Sequence, residues 1–420
     1  VRILFVASHP PLPFDNGGRI RTFHLARELA ERHKTRFISL DLEPGGDGAP
    51  VLASDIEEAI PALESAATVR APAPRKRLRQ LSSVVGSSSY TMAMHRSRAL
   101  RAAVGGAAMA FEPDLVHVDS LFAAGTRLAA STATWVLSLH NDEALLKARL
   151  AETAGDWPRR LIYSREAEAL QIVQAHELSL FDHAVTVSES EAESARAHNP
   201  SVFVAPNGVD PFDEPDVSRF RRPRDERDPL RLLFVGSLNY EPNRQGLEWF
   251  INEVAPLARQ RLRIDIEVVG PGRRGPELPG VRYLGRVDNL DAAYGRADAA
   301  VVPLRAGAGS RLKVVEALAR GVPLVSTSIG AEGYDLADGV HALIADTPQA
   351  MVERLALLDN SLRTDARIAT SIVEDGYDLA VTYFWPGIGE RLADRYATWA
   401  MEPPDMPEDP PPAAGEPPAG

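Results

Sequence analysis

Residues 307–323 read Gly-Ala-Gly-Ser-Arg-Leu-Lys-Val-Val-Glu-Ala-Leu-Ala-Arg-Gly-Val-Pro. The stretch follows an apolar run, Ala299 to Val302, that ends near Pro303, and it leads into another, Leu324 to Ser326. Small residues open a helix and Gly321 and Pro323 close it, so the pattern predicts strand, turn, helix and strand in succession. The unpaired N–H groups at Gly309 and Ser310 then face the mouth of a sheet, a setting that attracts phosphate. Arg311 and Lys313 add positive charge in the first turn, which is unfavourable there unless an anion is present. Glu316 falls about one and a half turns in, within reach of a sugar's hydroxyl pair. The bland alternative is a glycine-rich turn with a solvated basic pair.

The same alternation extends outward along most of the chain. Apolar runs rich in Val, Ile, Leu and Phe fall at Arg2 to Ala7, Arg36 to Leu42, Leu115 to Val118, Trp135 to Leu139, Ala184 to Val187 and Val202 to Ala205. A second set falls at Leu230 to Val235, Ile264 to Val269, Val281 to Leu284, Ala299 to Val302 and Leu324 to Ser326. Each is followed by a turn and a helical pattern, the signature of α/β architecture with parallel sheets covered on both faces. Two sheets are the economical reading. Between them, Asn207 to Asp228 carries Gly208, Pro211, Pro215 and Pro223 among dense charges and reads as an exposed hinge. The expected division is 1–206, a linker at 207–229, 230–382, a helix at 383–400 and a tail at 401–420. That tail holds eight prolines, five acidic residues and no Lys or Arg, and is expected to be disordered.

Length and composition agree: 420 residues suit two sizeable domains, and 45% hydrophobic with 25% charged residues is ordinary for a globular protein. With no Cys, disulfides and thiolate metal sites are excluded. A net charge of −12 argues against nucleic-acid wrapping. The opening apolar run is five residues long before His9, Pro10 and Pro11, so neither a membrane span nor a signal peptide is expected, and Val1 reads as a non-ATG start or a trimmed terminus. The expected location is cytoplasmic. One basic run, Arg75 to Leu81, could hold the protein at an anionic membrane face, against the plainer reading of a solvated loop.

In the first half, Gly17 and Gly18 separate a strand from a helix beginning near Arg19, which lets backbone approach a phosphate or an acceptor. Asp15 and Arg19 flank that loop and are candidate acceptor contacts. His140 follows the strand ending at Leu139 and stands where open α/β sheets place ligands, which makes it the leading catalytic histidine. His9 is a weaker candidate.

The stretch 309–333, GSRLKVVEALARGVPLVSTSIGAEG, resembles the nucleotide-sugar site of the retaining glycosyltransferases of family 4, whose fold is GT-B and which share a Glu-x7-Glu pattern. The resemblance extends to 3–33 (ILFVASHPPLPFDNGGRIRTFHLARELAERH), 185–210, 232–250 (LLFVGSLNYEPNRQGLEWF) and 281–318, in the family's order. It implies two Rossmann-like domains facing each other across a cleft, with the 383–400 helix crossing back to the first. It also implies transfer of a sugar from a nucleoside diphosphate sugar, of UDP or GDP type, to an acceptor hydroxyl of a glycan, lipid-linked saccharide or small metabolite. Retention of configuration would follow, without metal or other cofactor, the leaving diphosphate acting as base.

Residue by residue, the resemblance gives Glu316 the ribose hydroxyls and the Arg286–Val287 turn the base. Arg311, Lys313, Ser310, Gly309 and the Gly17–Gly18 loop receive the diphosphate, and the acceptor side falls near His140. The first Glu of the pattern is replaced by Ala308, which leaves recognition of the donor sugar open. In Gly236-Ser237-Leu238-Asn239-Tyr240-Glu241-Pro242-Asn243-Arg244-Gln245-Gly246, Ser237 and Gln245 occupy places where the family often has Arg and Lys, and Arg244 is the candidate substitute. Alternatives of the same plan are a sugar-nucleotide epimerase, a glycogen-phosphorylase-like enzyme, or a weakened nucleotide-sugar-binding subunit.

Overall fold

The computed structural model describes residues 1–43, 50–72, 89–221, 225, 227–272, 275 and 278–402. The basic run 75–81 and the tail from 403 lie outside the described residues, as does part of the linker.

Two parallel sheets organise the chain. The first contains β1 (Arg2–Ala7), β2 (Lys34–Glu43), β3 (Ser65–Pro72), β4 (Leu115–Asp119), β5 (Thr134–Ser138), β6 (His183–Thr186) and β7 (Val202–Val204), in the order β3-β2-β1-β4-β5-β6-β7. The second contains β8 (Leu230–Val235), β9 (Ile264–Val269), β10 (Val281–Gly285), β11 (Ala299–Val302), β12 (Leu324–Ser326) and β13 (Leu343–Ile344), in the order β10-β9-β8-β11-β12-β13. In both, the strand order reverses beside the first strand, between β1 and β4 and between β8 and β11. Loops diverge from such a point and leave a crevice at the carboxyl ends of the strands.

Burial on both faces explains the continuous apolar runs. In β1, Ile3 and Phe5 face one core with Leu25 and Leu29, while Leu4 and Val6 face another with Val116, Trp135 and Leu170. In the second sheet Leu232 and Phe234 pack with Phe250 and Ile266, and Leu233 packs with Val269, Val315 and Leu318 on the opposite face. All eleven expected strands are present, with boundaries shifted by at most two residues. The edge strands β3 and β13 had not been expected.

The chain passes between the sheets twice. Around residue 209 it runs beside its own return: Val209 N–H donates to the Tyr383 carbonyl at 3.1 Å, and Trp385 N–H donates to the Val209 carbonyl at 3.0 Å. The helix Trp385–Trp399 then lies on the helix Gly17–Arg32, placing Trp385, Leu392, Tyr396 and Trp399 in the same core as Ile3 and Phe5. Each of those large side chains contributes roughly 1.5–3 kcal/mol by leaving water. Their contact leaves no room at Gly389, where a Cβ would lie 2.3 Å from Glu28 Cβ. Among the described residues no helix is long and apolar enough to cross a membrane.

Candidate active site

The two crevices face each other and enclose a cavity of about 840 Å³. A second hollow, about 730 Å³, lies at the amino ends of the first sheet, where Arg2, Arg32 and Lys34 alternate with Glu31, Glu64 and Asp114. The interdomain cavity gathers the chemistry.

Its first wall comes from the loops after β1, β4 and β5. Asn16 caps the Gly17–Arg32 helix by accepting from Arg19 N–H at 3.0 Å, and the cap leaves the amides of Gly17 and Gly18 directed outward at the positive end of the helix. His140 donates from Nε2 to Asp119 Oδ1 at 2.7 Å, and the His9 ring stands beside it with centroids 6.2 Å apart. Asp119 is fully buried and also accepts from Thr22 and, at 3.4 Å, from His117, whose other nitrogen meets the Tyr396 hydroxyl at 2.5 Å. Burial opposes ionisation of Asp119, yet His140 and His117 together hold its carboxyl well below the usual carboxylate range. Burial, with the neighbouring His140 acting in the same direction, pushes the His9 imidazole down to about 4.

The second wall comes from the loops after β8, β9, β10 and β11. Lys313 Nζ donates to Asn243 Oδ1 at 2.6 Å and stands 4.9 Å from the centre of the Phe234 ring. Burial, together with the Arg311 charge, pushes its amine down to about 7 against the pull of Glu316. Glu316 is itself shifted upward by burial and accepts from the Tyr294 hydroxyl at 3.4 Å. Gly236 is required by space: a Cβ there would lie 2.6 Å from Asn243 Nδ2 and 2.8 Å from Lys313 Nζ. Ser237, Arg286 and Val287 line the same wall.

The Gly307–Ser310 loop seals the walls together. Arg149, on the helix Glu143–Glu152, donates to the Gly307 carbonyl at 2.6 Å and grips Glu332 with both nitrogens at 2.6 and 2.8 Å. Gly309, at φ +76°, has no space for a side chain, since a Cβ would lie 2.6 Å from Asn141 Oδ1. Ala308 packs with Ala306 against Leu146 and Leu150 of the facing domain. Ser310 Oγ accepts from the Asn207 amide at 3.3 Å.

Of the residues singled out in the sequence, Asp15, Gly17, Gly18, His140, Gly236, Ser237, Arg286, Val287, Ser310, Arg311, Lys313 and Glu316 border the cavity, with Gly309 directly behind it. Arg244 does not: it is occupied on its own helix by Glu241 and by Glu248 at 2.7 Å. Gln245 instead accepts from Thr153 at 3.0 Å across the interface. Arg311 borders the cavity, but its guanidinium turns into its own loop, bonding the carbonyls of Ala308 at 2.5 Å and Gly309, and reaches that of Ile329, in the helix Ser328–Ala331, at 3.3 Å. A fixed cation there holds the loop's shape, while Lys313 and Arg286 are the other second-domain cations bordering the cavity among the described residues. Arg19 does not border the cavity and pairs with Asp15 at 3.5 Å. Asp119, Asn16 and Asn243 had not been singled out. Asp119 ends β4 as the one acid in an apolar run, which is the signal that marks it.

Residues 15–212 match the family model for Glycosyltransferase Family 4, and residues 229–360 match that for Glycosyl transferases group 1. Phosphatidyl-myo-inositol mannosyltransferase of Propionibacterium freudenreichii is 29% identical over 229 residues, 52% of this chain. The chain spans 57% of that relative's length and 65% of a second curated relative's. Among solved structures, sucrose-phosphate synthase from Thermosynechococcus elongatus superposes with a TM-score of 0.67 at 17% identity, covering 94% of this chain and 98% of that one. Anabaena HepE in complex with UDP-glucose superposes with a TM-score of 0.62 at 16% identity, covering 94% and 99%.

Proposed function

We propose that this chain, whose residues 15–212 match the Glycosyltransferase Family 4 model and whose residues 229–360 match the Glycosyl transferases group 1 model, moves a sugar from a nucleoside diphosphate sugar to an acceptor hydroxyl, with retention of configuration. The observation that carries the reading is the convergence, across one crevice, of the Gly17–Gly18 helix start with Lys313 and Glu316. The diphosphate lies between the two amides and the Lys313 ammonium, which neutralise charge as the glycosidic bond breaks. Glu316 takes the ribose hydroxyls, and the Arg286–Val287 turn takes the base. Arg311 keeps the Gly307–Ser310 loop in the shape that receives the donor. The acceptor enters from the first domain beside His140, and the leaving diphosphate takes its proton. Positive charge at the phosphates comes from the chain itself, which makes the proposed reaction metal-independent.

Donor type is proposed as UDP or GDP, in keeping with the UDP-glucose bound by HepE. The acceptor is a glycan, a lipid-linked saccharide or a small metabolite. Calorimetry with UDP, GDP, UDP-glucose and GDP-mannose tests the site directly. Glu316→Ala should weaken the nucleotide that binds by about tenfold or more, as expected for lost hydrogen bonds to a charged group. Unchanged affinity in that variant would remove the ribose assignment, and no binding across the panel would remove the reading.

A further inference from the structure

The groups assigned to ribose and base lie on the second wall, whereas His95, Phe122 and Glu143, which have no part in that assignment, border the cavity from the first. Glu143 opens the helix Glu143–Glu152, whose Leu146 and Leu150 pack with Ala308 of the other domain. Spacings of three and seven residues put all three side chains on one helix face, so the Glu143 carboxylate stands where that seam meets the cavity. It is only 9% exposed, and no cation lies within ion-pair distance of it among the described residues. Its Oε1 accepts from Asn141 Nδ2 at 3.0 Å, while Oε2 has no hydrogen-bond partner among the described residues. A carboxylate so placed is costly until something donates to it.

Its surroundings are aromatic. The His95 ring stacks on that of Phe122, with centroids 4.5 Å apart and planes 13° from parallel. His95 Nδ1 donates to the Thr91 carbonyl at 3.0 Å, and burial pulls the imidazole below its ordinary range, so Nε2 is a bare acceptor. Tyr240 faces them from the second wall; burial pushes its phenol up to about 12, against the Arg311 charge and with that of Glu143. The helix Tyr90–His95 is held in place by Glu166, fully buried, which accepts from Ser89 Oγ at 2.6 Å and from the Tyr90 and Thr91 amides at 3.0 and 2.9 Å.

We propose that Glu143, His95, Phe122 and Tyr240 form the acceptor subsite, and that the group it takes is an uncharged sugar ring. The inference rests on the proposed function and narrows its acceptor to a saccharide unit. A pyranose has an apolar C–H face that fits an aromatic side chain and a rim of hydroxyls that donate. Glu143 Oε2 and His95 Nε2 both accept, and so match those hydroxyls. A phosphate or carboxylate on the ring would meet the Glu143 charge in a buried setting and be turned away. Tyr240 comes from the second domain, so the subsite is complete only when the two walls face each other.

Saturation-transfer NMR on the whole chain, with UDP or GDP bound, tests the subsite. The probes are methyl glucoside, methyl mannoside, methyl galactoside and N-acetylglucosamine, set against glucose-6-phosphate, glucuronate and glucosamine. Each is present at about 10 mM, where a site of millimolar affinity fills. At least one neutral sugar should receive saturation, with glucose-6-phosphate and glucuronate silent. Glu143→Gln should weaken that sugar about tenfold and Phe122→Leu severalfold, while calorimetry finds the diphosphate within about twofold in both, which shows that the fold and the nucleotide site survive. Four results overturn the proposal: silence from every neutral sugar, anionic sugars bound as well as neutral ones, glucosamine alone bound, or a sugar whose affinity falls no more than the diphosphate's in Glu143→Gln. Glucosamine alone would make the carboxylate an ammonium site instead. If neither diphosphate binds, the proposed function fails, and the same probes on the unliganded protein still judge the subsite.

Discussion

Raising the pH from 7 to 9 is predicted to weaken nucleoside diphosphate binding about fiftyfold, through one side chain. The Lys313 amine is pushed down to about 7, first by burial and then by Arg311, with only Glu316 opposing. Its Nζ is tied to Asn243 at 2.6 Å and held over Phe234, so it cannot swing to water without breaking that contact. A diphosphate placed against it restores the ammonium, and binding therefore takes up a proton wherever the unliganded amine has lost one. About half the molecules carry that proton at pH 7 and about 1% at pH 9, a difference of about 2.3 kcal/mol. Calorimetry at pH 7, 8 and 9, in two buffers of different ionisation enthalpy, reads both the affinity and the proton uptake, which should approach one per ligand at pH 9. This range lies above the terminal phosphate's own titration near 6. Lys313→Met should bind more weakly at pH 7 and show no slope. A flat wild-type affinity with no proton uptake would refute the reasoning. The same shift acts on folding: between pH 7 and 10.5 the unfolded chain holds a proton the native state has released, so the stability of the unliganded protein should rise across that window.

Three further outcomes separate the roles of neighbouring residues. Arg244→Ala should leave nucleotide affinity unchanged by calorimetry, because its guanidinium is engaged by Glu241 and Glu248 away from the crevice. Arg311→Met should lower unfolding stability in urea by about 1–3 kcal/mol as well as weakening the donor, since two loop carbonyls and that of Ile329 lose their donor; a loss of affinity with full stability would return Arg311 to direct diphosphate contact. Gly389→Ala should cost about 1–3 kcal/mol in the same melts, because its methyl collides with Glu28.

Periodicity exposed the central strands well because both of their faces are buried. β3 and β13 escaped for the opposite reason. β3 reads Ser-Ala-Ala-Thr-Val-Arg-Ala-Pro at a sheet edge, where mixed and small residues suffice, and β13 is two residues long. At the site, backbone-driven features were legible: Gly17, Gly18 and Gly309 are punctuation that a chain cannot hide. Side-chain partnerships were not. Arg311 and Lys313 are two residues apart in one basic run, yet one turns into its loop and the other toward the crevice, a choice made by carbonyls that only the folded loop assembles. Asp119 gains its meaning from His140 and Thr22, and no local spacing connects those three.

The return of residues 385–399 to the first sheet has a consequence for synthesis. While the ribosome is still adding the second half, the groove that will receive Trp385 and Tyr396 stands open on the first, and it closes only after residue 399 has emerged. Anyone dividing the gene into two expressible pieces should therefore fuse this last segment to the front fragment, since a simple cut at the hinge would leave that fragment greasy and the rear one trailing an orphan.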